Sequence, residues 1–409
     1  MRRLFRPRAE PRLVRARVGV FGHFGVSGVV MGAWAGGLPA LDERLSLGTG
    51  RLGTVLLVLA AGGLVSMLFA GRLCDRFGSR VVTRIGGPVT GATLLGPALA
   101  GSYPVLLAAT AVFGLAVGIL EVSMNVNSVE VESAYGRPIV SAFHGVWSLG
   151  GAVGGALIAL GLELGLDSPV MLVGAAVIGV IGFGRYGGHL LEPRPAPSPA
   201  TDRTTASRPA RRRWLVVAVL GIAAFAGYIS EGAAVDWAAV HARRVLEMPL
   251  ATAPIAYTVF GIAMTGVRLL GDPIRARLGS ARTLLLAGLC AFCGYGLVQL
   301  SPLSGGFAVA CLGWALTGIG LATVVPVVFS AVGAAGGEVG KALSTVTVFG
   351  SAGLLVGPAV IGYLAELTSL PAALVIPTVL TLLVAVLGPA AVRSLGPAPR
   401  VGEAVTDPA

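Results

Sequence analysis

An all-α membrane protein of twelve transmembrane helices in two pseudo-symmetric six-helix bundles is the fold class this sequence predicts. Three observations carry it: too little charge to cover a water-facing surface, twelve apolar runs of spanning length, and a repeat near 200 residues.

Only 12% of the 409 residues are charged and 55% are hydrophobic, whereas a soluble domain carries roughly a quarter charged residues. The 61 glycines, with prolines inside apolar runs, suit helices packed backbone to backbone in lipid. A net charge of +11 would suggest a nucleic-acid partner in a soluble chain. Here the arginines sit in short clusters between apolar runs, the pattern of cytoplasmic loops, so no nucleic-acid partner is expected. Cys290 and Cys293 form a CxxC inside an apolar helix with no histidine near. They read as small packing residues, and neither cofactor nor metal is expected. The basic start, MRRLFRPRAEPRLVRAR, resembles an export signal only faintly; eleven further spans follow it, so it reads as a cytoplasmic tail.

About 20 apolar residues are needed to cross the hydrocarbon. Segments that meet this run approximately 18–39, 52–70, 82–100, 104–128, 138–163 and 168–187, then 214–238, 250–270, 282–301, 305–332, 341–365 and 371–391. The expected organisation is a tail over 1–17, a bundle over 18–187, a Pro/Ser/Thr/Arg-rich cytoplasmic linker over 188–213, a bundle over 214–392 and a tail over 393–409. Of the 30 Lys and Arg, only Arg44, Arg51, Arg243 and Arg244 fall outside the N-terminal side of the membrane in this topology. Both termini are therefore expected inside, in a bacterial inner membrane. That count takes Arg268, with Arg275, Arg277 and Arg282, as the cytoplasmic 268–282 region at the end of the eighth span.

The halves repeat. Phe77-Gly78 matches Leu278-Gly279, Gly118-Ile119 matches Gly318-Ile319, and Trp34 matches Trp237, at offsets of 200 to 203. Duplicated bundles meeting at a central interface imply alternating access to a site near the midplane.

GRLCDRFGSR (71–80) joins the second and third spans, and GDPIRARLGSAR (271–282) echoes it after the eighth. Gly71 permits close helix approach, Asp75, Arg76 and Arg80 supply fixed charges, and Gly78 turns the chain. Asp272, Arg275 and Arg277 take the matching places. The first motif resembles the loop signature of the major facilitator superfamily, and the resemblance covers approximately 15–392. ILEVSMNVNSVEVESAYGRPIVSAFHGVWSLGGAVGG (119–155), GYISEGAAVDWAAV (227–240) and the segment from Trp34 to Pro39 are similar to a subgroup near the fucose-permease-like sugar porters, including the YbjJ-type permeases. The resemblance implies proton symport of a sugar. Fucose permeases carry an aspartate in the first helix for proton coupling, and the first span here has no carboxylate.

Ionisable groups at depth are costly, so each calls for a partner, a wet cavity or a task. Glu121 and Asn125 lie one turn apart on the fourth span; the resemblance implies a proton-coupling role for that glutamate. His144 is expected at nearly the depth of Glu121, one span later, where the pair would share a proton, with helix–helix hydrogen bonding as the plainer reading. On the seventh span Glu231 is the deeper carboxylate and the candidate substrate or gate residue. Asp236, Trp34, Trp237 and Asn127 are candidates for cavity lining or the outer gate. Glu130 and Glu132 read as loop or gate charges, and the isolated His23 as a packing residue. By the two-fold repeat, Asp75 is expected to approach the start of the eleventh span and Asp272 the start of the fifth, closing the inner side.

The expected function is secondary transport, proton-coupled, of a small polar solute such as a sugar, by a monomer in the bilayer. A proton-driven drug or metabolite exporter is the alternative of the same class. A non-transporting sensor would need a signalling domain that the tails of about 17 residues lack. An enzyme is not expected, because no catalytic triad spacing, metal cluster or phosphate loop is present.

Overall fold

The structure is a computed structural model and describes residues 10–135, 139–191, 210–303, 306–334 and 339–394. Among them every regular element is a helix. The first seven are α1 (Pro11–Leu45), α2 (Gly48–Phe77), α3 (Ser79–Thr93), α4 (Leu95–Leu99), α5 (Tyr103–Tyr135), α6 (Val140–Glu163) and α7 (Ser168–Gly187). Then come α8 (Ala210–Arg244), α9 (Pro254–Leu278), α10 (Ser280–Leu300), α11 (Gly306–Leu321), α12 (Val324–Ala334), α13 (Val339–Leu367), α14 (Leu370–Ala373) and α15 (Val375–Ser394).

These make twelve spans, because three spans are each built from two helices: α3 with α4, α11 with α12, and α14 with α15. Each break has the same cause. Pro97, Pro326 and Pro377 lie just after the interruptions at Leu94, Ala322-Thr323 and Leu374. A proline ring clashes with the carbonyl four residues earlier and offers no N–H to it. Most helices outrun their expected spans; α1 is 35 residues and α2 is 30. Hydropathy registers the apolar stretch, and the helix continues into water beyond it.

Elements α1–α7 pack chiefly among themselves, as do α8–α15. The first bundle is held by glycine contacts between α1 and α6, where a methyl on Gly32 would stand 2.0 Å from the Gly151 carbonyl oxygen. Four residues outside those described, 335–338, precede α13, and most of the expected linker lies within 192–209, also outside them.

With an even number of spans, α1 begins and α15 ends at one face, here the proximal face. It also holds the turns at Gly78 and Gly279, whose φ angles of 85° and 74° are left-handed and suit glycine. The distal face holds the α1–α2 and α8–α9 connections. The bundles meet mainly through α6 with α9 and α2 with α13. Near the distal end of the second seam the backbones touch: a Cβ on Gly362 would lie 2.6 Å from the Gly53 Cα.

Candidate functional site

Arg268 is the centre of the site. It lies within α9, ten residues before its last residue, Leu278, or about 15 Å from that end by helical rise. Its Nη2 donates to Glu231 Oε1 of α8 at 2.7 Å, and its Nη1 donates to Ser148 Oγ of α6 at 2.6 Å. One guanidinium thus joins both bundles at mid-depth. This corrects its expected place at the proximal end of the span: the charge count assigns an arginine near a span's end to the adjoining face, whereas α9 runs on to Leu278. The repeat held the signal: the offset of 201 between Gly78 and Gly279 sets Arg268 level with Met67, inside the second span.

Around Arg268 stand three further groups. Glu121 of α5 is exposed although it lies mid-helix, and it is close enough to Tyr228 of α8 to act on it through its charge, as Glu231 and Arg268 do. It therefore faces the space between the bundles. Among the described residues its carboxylate has no hydrogen-bond or ion-pair partner. The Asn125 amide reaches back to the Glu121 main-chain oxygen at 2.8 Å, not to the carboxylate. His144 stands edge-on to Phe24, ring centroids 5.0 Å apart, and within electrostatic reach of Arg268. No described hydrogen bond joins it to Glu121; the Ser148 hydroxyl donates to its main-chain oxygen at 3.2 Å. Arg268, Ser148 and Tyr228 were not among the residues expected at the site.

Toward the distal face, Asp236 is half-buried and has no hydrogen-bond or ion-pair partner among the described residues. Together with Glu231 it acts electrostatically on Tyr257 of α9, whose hydroxyl oxygen lies 2.6 Å from where a Cβ on Gly151 of α6 would stand. Trp34 and Trp237 are 1% and 0% exposed, so in this state neither is open to a cavity or to the lipid interface. Trp34 packs on Phe113, ring centroids 5.8 Å apart. His23 is buried in its own bundle against Phe183, with Nδ1 2.9 Å from the Gly19 carbonyl oxygen.

The distal face is sealed by charge. Arg244 at the end of α8 donates to both oxygens of Asp42 at the end of α1, at 2.6 and 2.9 Å. Beside it Arg243 donates to Glu43. On the other seam Glu366 of α13 accepts from Thr49 Oγ1 at 2.8 Å and from the Gly50 amide at 3.1 Å, both on α2. Arg44 holds the end of α1 to its own bundle through the carbonyl oxygens of Ala98, Ala100 and Pro97, at 2.7, 3.2 and 3.3 Å. None of this seal was expected from the sequence, since each pair that joins the two bundles is 200 or more residues apart.

At the proximal face the expectations for Asn127 and Gly71 are corrected. Asn127 lies neither in the cavity nor at the outer gate: it is fully buried, donating to Ser79 Oγ at 3.0 Å, Glu130 at 3.2 Å and the Leu191 carbonyl oxygen at 3.3 Å. Helical spacing had not distinguished its face from that of Asn125. The start of α6 is capped by Glu132 of the same bundle, whose Oε2 accepts from the Ile139 and Val140 amides at 2.6 and 2.8 Å. The side chain of Asp272, expected there, lies outside those described. Gly71 has nothing within 4 Å of where its Cβ would stand, because no other backbone packs on α2 at that point in this state.

Asp75 is exposed and has no hydrogen-bond or ion-pair partner among the described residues; the side chains at the start of α13, 339–341, lie outside those described. Arg76 lies over Phe77, 5.3 Å from the ring centroid. Arg275 donates to Ser330, Arg277 is exposed and Arg80 is half-buried.

The description of the Major Facilitator Superfamily matches residues 20–334. An uncharacterised MFS-type transporter of Yersinia pestis is 34% identical over 86% of this chain and 89% of its own length. An uncharacterised transporter of Sinorhizobium fredii is 33% identical over 92% and 98%, and the membrane protein MosC of Rhizobium meliloti 30% over 86% and 84%. Among solved structures, a variant of the nucleoside transporter NupG superposes with a TM-score of 0.73 at 14% identity, over 93% of this chain and 100% of that one. A bacterial homologue of the human lysosomal transporter Spinster, inward-facing and occupied, gives 0.68 at 14%, over 94% and 98%.

Proposed function

The chain belongs to the major facilitator superfamily and is a multi-pass membrane protein, and we propose that it is a proton-coupled secondary transporter of a small polar solute. The observation that carries this reading is the Glu121 carboxylate, unpartnered among the described residues and within electrostatic reach of Tyr228, which the Glu231–Arg268 pair also reaches. A carboxylate at mid-depth without a cation partner is the group best placed to exchange a proton with water. Around it the guanidinium, hydroxyl, phenol and imidazole groups supply hydrogen bonds that an apolar solute would not use.

The arginine distribution sets the proximal face in the cytoplasm of a bacterial inner membrane. The state described, sealed distally, is then inward-facing. Alternating access would break the seal at Asp42, Glu43 and Glu366 and bring the proximal ends together. The test is a pH-jump flux assay in proteoliposomes against a panel of sugars, sugar acids, amines and hydrophobic drugs. Solute accumulation driven by a pH gradient supports the reading, and accumulation of drugs alone would replace it with drug export.

A further inference from the structure

We propose that the solute bears a carboxylate, as a polyhydroxy acid does, and that Arg268 is its anchor. This rests on the reading of Glu121 as the proton carrier.

The planar fork of five N–H donors on Arg268 matches the two oxygens of a carboxylate. In the state described the fork is not filled in that way. One terminal nitrogen goes to a single oxygen of Glu231 and the other to the neutral hydroxyl of Ser148. The ion pair is partly open, with side chains 15% and 18% exposed. A solute carboxylate can take the place of Ser148 without displacing Glu231. It would then also release α6 from α9, the helices of one seam between the bundles.

Charge decides the rest. Arg268 is paired with Glu231 of α8; Tyr228 of α8 lies within electrostatic reach of Arg268, Glu231 and Glu121 of α5, and His144 of α6 within reach of Arg268, with Asp236 and Tyr257 nearer the distal face. From α11, also packed on α9, the only ionisable side chain is Cys311. Two carboxylates already oppose one guanidinium, so a third is repelled unless one is neutralised. Glu231 is already paired with Arg268 at 2.7 Å, which leaves Glu121, without a partner among the described residues, to take the proton. Anion and proton entering together leave the net charge unchanged, whereas either alone changes it in a site of low dielectric. That is a physical basis for obligatory symport. A neutral sugar would give no reason for the proton, and an amine would compete with it at Glu121.

The sign of the pH effect separates these classes. Purified full-length protein in proteoliposomes loaded with a pH-sensitive dye is exposed to gluconate, galacturonate and glycerate, to glucose, and to glucosamine. At least one acid should drive proton uptake, with an apparent KM that falls by up to about tenfold per pH unit of acidification. Arg268→Lys, which keeps the charge but loses the fork, should raise that KM about tenfold or more. Arg268→Gln combined with Glu231→Gln removes the charges as a pair, so no orphan carboxylate threatens folding, and should abolish acid-driven proton uptake. Glucose driving protons while all three acids are inert overturns the carboxylate class and leaves proton coupling standing. Glucosamine transport inhibited by acid, or acid transport indifferent to Arg268, also overturns it. Solute flux without any proton movement sinks the coupling reading as well.

Discussion

Arg244 grips Asp42 through two nitrogens, across the boundary between the bundles. Asp42 is 2% exposed and its Oδ1 also accepts from the Gly48 amide at 3.0 Å, so the carboxylate that begins α2 is the one that closes the distal face. Because Arg44 ties the end of α1 to its own bundle, the acid is presented on a rigid arm. The contact reports one conformation and contributes to its population.

Asp42→Asn should therefore shift the protein toward the distal-open state. Arg244 is partly solvated, with a side-chain exposure of 39%. A charge-assisted bond in that setting contributes about 1–2 kcal/mol, a shift of roughly fivefold to thirtyfold in the ratio of states. Spin labels at positions 166 and 303, exposed on opposite bundles at the distal face, should report a longer distance. The combination of Asp42→Asn and Arg244→Gln should exceed neither single change by much, since both remove one bond. Full additivity would show that the two residues act separately.

The second seam permits a steric test. A side chain at Gly53 or Gly362 would collide with the facing backbone, so Gly53→Leu should prevent distal closure. The same label pair should stay at its long distance whatever the solute, and net flux should fall at least tenfold while the protein remains folded. Normal flux would show that the seam need not close.

Proton coupling at Glu121 is tested by Glu121→Gln, which keeps size and removes the titrating proton. Uphill, pH-driven accumulation should disappear, while exchange of solute down no gradient survives and loses its pH dependence. Uphill accumulation equal to the parent protein would rule Glu121 out as the carrier.

Glu132 is a capping residue, and its replacement should affect stability more than transport. Glu132→Ala strips a charged acceptor from two amides at the start of α6 and should cost about 0.5–2 kcal/mol. Hydrogen exchange should accelerate at Ile139 and Val140, and a pH–flux profile that also moved would give Glu132 a role beyond the cap.

Inner-side closure is tested through Asp75. If its carboxylate meets the start of α13 when the proximal face shuts, Asp75→Asn should slow turnover severalfold and favour the inward-facing state. A distance between labels at 75 and 342 that does not change between states would leave Asp75 without a gating role.

Read alone, the sequence determined twelve spans, a two-fold repeat and the turns at Gly78 and Gly279, because these depend on transfer of side chains into hydrocarbon and on local backbone sterics. It also marked Glu121, His144 and Glu231 as ionisable groups at depth, and Asp236 as a candidate nearer the outer end. Only the tertiary structure decided what each one meets. Arg268 was counted with the cytoplasmic end of its span because hydropathy measures where apolar sequence ends, not where a helix ends. Asn127 and Asn125 are two positions apart, yet rotation about the helix axis buries one at the proximal joint and turns the other toward Glu121. The bond from Asp42 to Arg244 and the touch of Gly53 on Gly362 join segments without local signals. Such contacts depend on how two preformed bundles lean on one another, and that lean changes between the states of a single sequence.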